Sequence, residues 1–421
     1  MKLRFILFLS VSFGQVNYNH PELDWQTFET DHFRIHFYPE TEQSAREGAY
    51  VAERIYLFVT DLYQYEPFDK TDIVFTDVDD ISNGAAYFYD NKIIIWTSPL
   101  DFELRGSHRW LQNVITHEFT HIVSIQRAQK FGKSVPGGYL QWIGYEKEKR
   151  PDVLYGYPNT LVSYPLPGTT VPPWLAEGAA QFMYPGADWD NWDSIRDMIL
   201  RDRILYKNML TWREMNTFGK SGIGNESVYN SGFALSRYLA MKYGPESLRK
   251  VMVSLSKPMN YSINKAIKEA TGKRGKSVYD DFLKVLNSRY EALIPSVLKN
   301  EAKGRVIWEE GTSNLFPTWN GDGTKIAYLS NQNHDYFGST DLFIYDVITG
   351  LNKKIMEGVY SKPTWNGKKI IYSKKGKKPN KVGSRYYDLF EFDFTIKKEF
   401  RLTKDARSFA PVFSQRDSVL F

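Results

Sequence analysis

His117, Glu118 and His121 form a His-Glu-x-x-His run, whose residue types and spacing suit metal-assisted hydrolysis. On a helix, side chains four residues apart lie one turn above each other, so both imidazoles can bind one small tetrahedral ion. The intervening carboxylate can then act as the general base for a metal-activated water. The run predicts a zinc-dependent hydrolase, the alternative being a helix that carries two histidines by coincidence.

The segment that contains this run is predicted to be a buried helix, from Trp110 to Ile125. Neither proline nor glycine interrupts it, and apolar residues recur at three- and four-residue spacing, at Leu111, Ile115, Phe119 and Ile122. Unpaired histidines on a buried helix would be costly, and a metal ion would satisfy them.

Two histidines leave a zinc ion short of protein ligands, so a third ligand is needed. A third histidine does not follow on the same helix, because Ser124 and Arg127 stand where the extended motifs require Gly and His. A downstream carboxylate is the better expectation. Glu177 is one candidate, within a segment that Pro172 and Pro173 open as a helix.

The segment Trp174-Leu175-Ala176-Glu177-Gly178 resembles the second helix of the gluzincin metallopeptidases, which carries a Trp-x-x-Glu-Gly pattern. The resemblance implies that Glu177 is the third zinc ligand and that Gln181, one turn later, orients a ligand histidine. The interval from His121 is longer than the family leads us to expect, and residues 131–168 look like an inserted loop. This loop contains three rival ligands, Glu146, Glu148 and Asp152.

Tyr229 is a candidate donor for the oxyanion that forms during hydrolysis. The segment from Ser227 to Leu239 resembles the helix that follows the metal site in aminopeptidase-like gluzincins, in which a tyrosine near the helix start supplies this phenol. The alternative is that Tyr229 only packs, in a chain with 28 tyrosines.

Upstream of the motif, the pattern predicts a small sheet and one helix. Strands are expected at 30–37, 72–76 and 92–97, and a helix from Thr41 to Tyr63. The segment from Asn83 to Asn91 resembles the family's substrate edge, where an extended backbone pairs with a bound peptide, although an ordinary hairpin has a similar pattern. His20, His32, His36 and His108 are interpreted as structural or surface residues.

After residue 300 the chain contains a repeat. A Pro-x-Trp-Asn segment, a glycine turn and an Asp-Leu-Phe strand occur at 317–346 and again at 363–393, and a third copy begins at Pro411. This period predicts propeller blades, and the repeat resembles the blades of TolB-like β-propellers. Two and a half copies do not close a ring, so we expect a partial propeller in a fragment or truncated gene product.

The composition fits an exported protein. Basic Lys2 and Arg4, an apolar run to Phe13 and a small-x-small site before Gln15 predict a signal peptide at 1–14. That run is too short to span a bilayer, and we expect no transmembrane span in the mature chain. The absence of cysteine excludes disulfides, a lipid-anchored cysteine and a thiol nucleophile. We expect a periplasmic, outer-envelope or secreted location.

The net charge of +5 arises in the last third of the chain, largely between Lys368 and Lys381. This basic stretch lies between predicted strands and is interpreted as a solvated loop, so nucleic-acid binding is not expected. The sequence thus predicts an α+β gluzincin-type domain at 20–297 and a partial all-β propeller at 305–421. Zn²⁺ would be held by His117, His121 and Glu177, and the substrate would be a peptide or protein. The alternative is a non-catalytic envelope scaffold that binds a protein partner through the propeller.

Overall fold

The computed structural model of the protein describes residues 20–100, 103–105, 109–132, 137–145, 158–184, 194–219, 223–381, 383–414 and 419–420. The predicted signal peptide at 1–14 lies outside these residues, as do His108 and the rival ligands Glu146, Glu148 and Asp152. The architecture is mixed α+β, with helices in the first part of the chain and antiparallel sheets in the last.

The first part begins with a five-stranded sheet and one long helix. In chain order the elements are β1 (Gln26–Glu29), β2 (Phe33–Phe37), α1 (Glu42–Tyr63), β3 (Thr71–Thr76), β4 (Gly84–Tyr87) and β5 (Lys92–Trp96). The strand order is β1-β2-β3-β5-β4. The three central strands are parallel, and β1 and β4 pair antiparallel at the two edges. The segment predicted to be the substrate edge therefore contains an edge strand of the sheet.

Alternating apolar residues explain why this sheet forms a core layer. Ile35, Ile73 and Ile93 are fully buried on three neighbouring strands, as expected for parallel strands covered by helices. Helix α2 (Trp110–Arg127) packs its apolar face into the same core through residues such as Ile115 and Phe119. The predicted helix around the His-Glu-x-x-His run is thus confirmed, and it ends two residues later than expected.

The supposed inserted loop contains a β-hairpin in the residues that are described. Strands β6 (Gly137–Tyr145) and β7 (Pro158–Pro167) pair antiparallel. Leu140 and Trp142 are exposed on this hairpin. It precedes α3 (Pro173–Phe182), which begins at the predicted prolines.

The remaining helices complete the first part of the chain. They are α4 (Ser194–Leu205), α5 (Glu226–Tyr243), α6 (Glu246–Ser256), α7 (Ile263–Thr271), α8 (Gly275–Glu291) and α9 (Ile294–Lys299). None of the helices in the described ranges is long and apolar enough to cross a membrane.

Each full copy of the sequence repeat forms a four-stranded antiparallel sheet. Repeat sheet 1 contains β8 (Asn314–Trp319), β9 (Lys325–Ser330), β10 (Asp341–Asp346) and β11 (Asn352–Met356). Repeat sheet 2 contains β12 (Thr364–Asn366), β13 (Lys369–Lys375), β14 (Tyr387–Asp393) and β15 (Lys398–Arg401). Strands β16 (Phe413–Ser414) and β17 (Val419–Leu420) pair at the start of the third copy. None of the described sheets closes into a barrel.

The two repeat sheets share a core that is separate from that of the helical part. Its buried members include Leu329, Leu342, Ile370 and Tyr372. The Trp365 indole of repeat sheet 2 donates a hydrogen bond to the Thr318 carbonyl of repeat sheet 1 over 3.0 Å. This hydrogen bond from Trp365 joins the two neighbouring sheets. The domain boundary near residue 300 stays a prediction.

Helices α3 and α5 cross at two glycines. A Cβ atom placed on Gly178 would lie 2.2 Å from the Gly232 carbonyl oxygen, and one on Gly232 would lie 2.3 Å from the Trp174 carbonyl oxygen. Real side chains do not reach such distances. The close approach of these helices therefore requires glycine at both positions, and it fixes α3, which carries Glu177, against α5, which carries Tyr229.

We expect Gly232→Ala to destabilise the protein. Alanine favours a helix interior by about 0.5–1 kcal/mol over glycine, but overpacking typically costs about 1–3 kcal/mol. The obstructing atom is backbone and cannot rotate away, so the second effect should win and lower the free energy of unfolding in urea. Gly132→Ala is the control, because a Cβ there meets open space. Equal unfolding midpoints for all three proteins would contradict the crossing described here.

Candidate metal centre

Three buried ligand atoms from two helices converge on one point. His117 Nε2 lies 3.0 Å from Glu177 Oε2 and 3.0 Å from His121 Nε2. The third side of the triangle, His121 Nε2 to Glu177 Oε2, measures 3.3 Å. The three residues are 7–8% exposed and form a group that could hold a metal ion.

The dimensions of this triangle fit a tetrahedral ion. With zinc–ligand distances of about 2.0–2.1 Å, two ligand atoms of a tetrahedral site lie about 3.3–3.4 Å apart. The observed sides of 3.0–3.3 Å are close to this spacing. Two neutral imidazoles that point their Nε2 atoms at each other can share only one proton, whereas a cation satisfies both lone pairs and the carboxylate together.

Local structure explains how the chain places these atoms. His117 and His121 stand one turn apart on α2, so their rings leave the helix on the same side. Glu177 comes from α3, whose position depends on the glycine crossing with α5. Trp174, one turn before Glu177, is fully buried against Trp212 and anchors the start of α3. The ligand set predicted from the sequence is therefore brought together in space.

The electrostatics within the triangle favour the metal-binding forms of Glu177 and His117, but they favour the protonated form of His121. Burial opposes the ionisation of Glu177, but the charge of His121 and the hydrogen bond from His117 hold the pKa of its carboxyl far below the usual range. Burial lowers the pKa of His117 to about 4. For His121 burial acts in the same direction, but the Glu177 carboxylate outweighs it and raises the pKa. An ionised carboxylate and a neutral imidazole are the forms that bind metal.

Glu118 lies beside the triangle without belonging to it. Its side chain is buried, and the burial raises the pKa of the carboxyl to about 7. The backbone N–H of Ala86 in β4 donates a hydrogen bond to it. A Cβ atom on Gly84 would lie 2.6 Å from Glu118 Oε1. The edge strand thus passes directly over the carboxylate, and a Cβ at position 84 would displace the Glu118 and Val114 side chains.

Two tyrosines face the ligand His117. Its ring lies 6.1 Å from that of Tyr229 in a stacked arrangement and 6.3 Å from that of Tyr184 in a tilted one. Burial raises the pKa of the Tyr229 phenol, and the Glu177 carboxylate raises it further, so the phenol stays protonated and can donate. The structure brings the predicted Tyr229 to the site and adds Tyr184 as a rival.

Arg105 brings a positive charge to the same side of the site. Its guanidinium lies 5.2 Å from the Tyr229 ring centroid and forms an ion pair with the buried Glu226. Burial opposes the charge, but Glu226 raises the pKa of Arg105 above its usual range. Arg105 lies in a loop, so no sequence pattern predicts that it is close to the site. Tyr184 could have been proposed from the sequence, because Glu177, Gln181 and Tyr184 follow each other at helical spacing of four and three residues.

The predicted role of Gln181 is wrong. With its amide nitrogen turned towards α5, Gln181 donates to the Tyr229 carbonyl over 3.2 Å and accepts from Arg196 Nη1 over 3.0 Å. Among the described residues, the Nδ1 atoms of His117 and His121 have no hydrogen-bond partner. Gln181 therefore ties α3 to α5 and α4, and does not orient a ligand histidine.

Three of the histidines that were interpreted as structural or surface residues are described, and each contacts a carboxylate outside the triangle. His32 is hydrogen-bonded to Glu53 over 2.7 Å and stacks on Tyr56. His36 contacts Asp72 over 3.0 Å, and His20 contacts Glu22 over 2.9 Å. These contacts all lie in the amino-terminal segment and leave α2 as the source of both histidine ligands.

No protein-family model matches the chain, and no curated protein matches it either. Among solved structures, the chain is similar to TolB from Acinetobacter baumannii, with 22% sequence identity and a TM-score of 0.18. The similarity covers 22% of this chain and 21% of that chain. A similarity of this extent assigns neither a fold nor a function to the protein.

We expect the purified protein to bind one zinc ion, and Glu177→Ala to weaken zinc binding by at least ~10²-fold because it removes a direct ligand. Isothermal titration of the metal-free protein measures both. Glu118→Gln is the matched control, since it changes a neighbouring buried carboxylate that lies outside the triangle. If Glu177→Ala binds zinc as tightly as the wild type, the third ligand is a different residue, and Glu146, Glu148 and Asp152 should be tested first.

Proposed function

We propose that the protein is an exported zinc metallopeptidase of the gluzincin type, which hydrolyses peptide bonds in a peptide or protein substrate. The observation that carries this proposal is the buried triangle of His117, His121 and Glu177 with Glu118 beside it. Export rests on the predicted signal peptide at 1–14. The gluzincin assignment rests on the sequence resemblance around these residues.

When bound, zinc would supply a Lewis acid that polarises the scissile carbonyl and lowers the pKa of a water molecule towards neutrality. Glu118 would accept the proton of the attacking water and would then deliver it to the leaving amine, as a general base that becomes a general acid. Its burial beneath β4 keeps bulk water away from this proton transfer.

The substrate would bind along β4. This strand is paired with β5 on one side and stands at the end of the sheet order. No strand among the described residues pairs with its other edge, so an extended peptide can add there through backbone hydrogen bonds, without requiring particular side chains. Because the edge passes over Glu118, a peptide bound there lies across the general base.

A second candidate function, a binding scaffold, has one observation in its favour. A cavity of about 810 Å³ lies between the two repeat sheets, lined by apolar and basic residues that include Ile344, Lys353, Trp365, Phe392 and Phe394. Concave sites with apolar walls and a few polar groups are typical binding sites. In this alternative the repeat sheets, as blades of a partial propeller, bind a protein partner, and the metal only stabilises the fold.

Glu118→Gln separates the two functions. Glutamine keeps the size and polarity of the side chain but cannot accept the proton, so peptide hydrolysis should fall by ~10²–10⁴-fold while zinc content stays unchanged. Cleavage of a mixed peptide library by fully zinc-loaded protein measures this. If zinc-loaded wild type and Glu118→Gln are equally inactive over a broad library, the scaffold is the better proposal.

Comparing Tyr229→Phe with Tyr184→Phe identifies the oxyanion donor. Loss of one such donor lowers kcat by ~10²–10³-fold. We expect this loss for Tyr229→Phe and a much smaller change for Tyr184→Phe, with KM and zinc content nearly constant in both. If Tyr184→Phe caused the larger loss of kcat, the oxyanion donor would be Tyr184. Equal and small effects would leave both tyrosines as packing residues.

A further inference from the structure

The loop between β3 and β4 is held by a side chain that follows repeat sheet 2. The Arg407 guanidinium contacts Asp77 through two nitrogens, Nη1 to Oδ2 at 2.5 Å and Nη2 to Oδ1 at 3.0 Å. Its Nε donates to Asp80 Oδ1 over 2.5 Å. The same guanidinium reaches Ser98 Oγ, just after β5, over 3.0 Å. One arginine therefore connects both ends of the β4–β5 hairpin.

Backbone groups of repeat sheet 2 complete this junction. The Tyr387 N–H donates to Asp80 Oδ2 and the Arg385 N–H to Asp79 Oδ1, each over 2.7 Å. Lys375 Nζ donates to the Asp79 carbonyl. The Asp80 side chain is fully buried. A buried carboxylate is strongly destabilising when its partner is removed. We therefore expect these contacts to contribute to the stability of the junction.

The loop holds a conformation that needs this support. Asp79 and Asp80 have φ angles of 66° and 44°, in the left-handed region. Aspartate tolerates this region better than most residues, but such conformations still cost of order 1–3 kcal/mol and persist where the surroundings fix them. The contacts from repeat sheet 2 are what fixes them here.

The same loop leads directly into the strand that covers Glu118. Asn83, which precedes β4, accepts a hydrogen bond from the Trp96 N–H over 3.0 Å. Gly84 then lies against the Glu118 carboxylate, and the Ala86 N–H donates to it. Three residues separate Asp80 from Gly84, so a displacement of the loop would move the edge strand.

We propose that Arg407 is a positioning residue for the metallopeptidase site, through which repeat sheet 2 sets the place of β4 over Glu118. This inference rests on the proposed function. It assigns the repeat sheets a direct use in hydrolysis, because the substrate edge is held on one side by the zinc-binding part and on the other by the repeat part. Arg407 contacts neither the proposed metal ligands nor Glu118, and it acts through the β3–β4 loop and Ser98.

The test uses the full chain with zinc bound. Arg407→Gln removes the charge and the planar fork that contacts both carboxylates. Asp80→Asn removes the charge from the other side of the same junction. Lys369→Gln is the matched control, because it removes a partly buried ion pair with Glu391 within repeat sheet 2 that involves none of Asp77, Asp79 and Asp80.

We expect Arg407→Gln to lower kcat/KM by ~10–10²-fold, since a misplacement of about 1 Å can cost this much. KM for extended peptides should rise as well as kcat fall, with zinc content equal to that of the wild type. The effects of Arg407→Gln and Asp80→Asn should be less than additive in the double variant, because both remove the Arg407–Asp80 ion pair. Lys369→Gln should behave as the wild type.

Amide hydrogen exchange gives a readout that does not need activity. In Arg407→Gln, peptides that cover residues 80–90 should exchange at least ~10-fold faster than in the wild type and in Lys369→Gln. Unchanged exchange in this region overturns the inference, as does an equal loss of activity in the control. If the zinc-loaded wild type cleaves no peptide, the proposed function fails, and the exchange data alone still decide whether repeat sheet 2 holds β4.

Discussion

The convergence of three ligand atoms within about 3 Å inside the protein is the constraint on which the site depends. Two of them come from α2, where helical spacing alone brings them together. The third must come from a separate helix, and a glutamate side chain is short. Helix α3 can therefore occupy only a narrow range of positions, and the paired glycines at its crossing with α5 hold it there.

Glu118 adds a second constraint, on the side of the site that β4 covers. A carboxylate buried without an ion-pair partner costs several kcal/mol in its charged form, and its raised pKa is the expression of this cost. A metal site that served only stability would gain nothing from it, since Glu118 is not in the ligand set. The strand above Glu118 supports the same conclusion, because Gly84 has no side-chain atom that would displace the carboxylate. Both features support the proposed catalytic role rather than a purely structural metal site.

The features that could be predicted from the sequence are the local ones. The apolar period of α2, the prolines at the start of α3 and the repeat after residue 300 each depend on neighbours in the chain, and the structure has all three. Strand β1 was not predicted, because three of its four residues are exposed and they carry no alternating apolar pattern. Gln181 was assigned the wrong partner, since spacing along α3 gives its face but not which helix lies opposite.

Contacts between distant segments explain the other omissions. Arg105 and Glu226 are far apart in the chain, and so are Arg407 and Asp77, yet both pairs lie around the same site. No local pattern contains such information, because an arginine in a loop is compatible with almost any partner or with solvent. Two different features of the fold thus position the groups of the site. The candidate metal ligands stand on helices, which are rigid by themselves, whereas the proposed substrate edge follows a loop whose left-handed residues need support from elsewhere. The repeat part contacts this loop through Arg407, so the two parts of the chain differ in fold but meet at the β3–β4 loop.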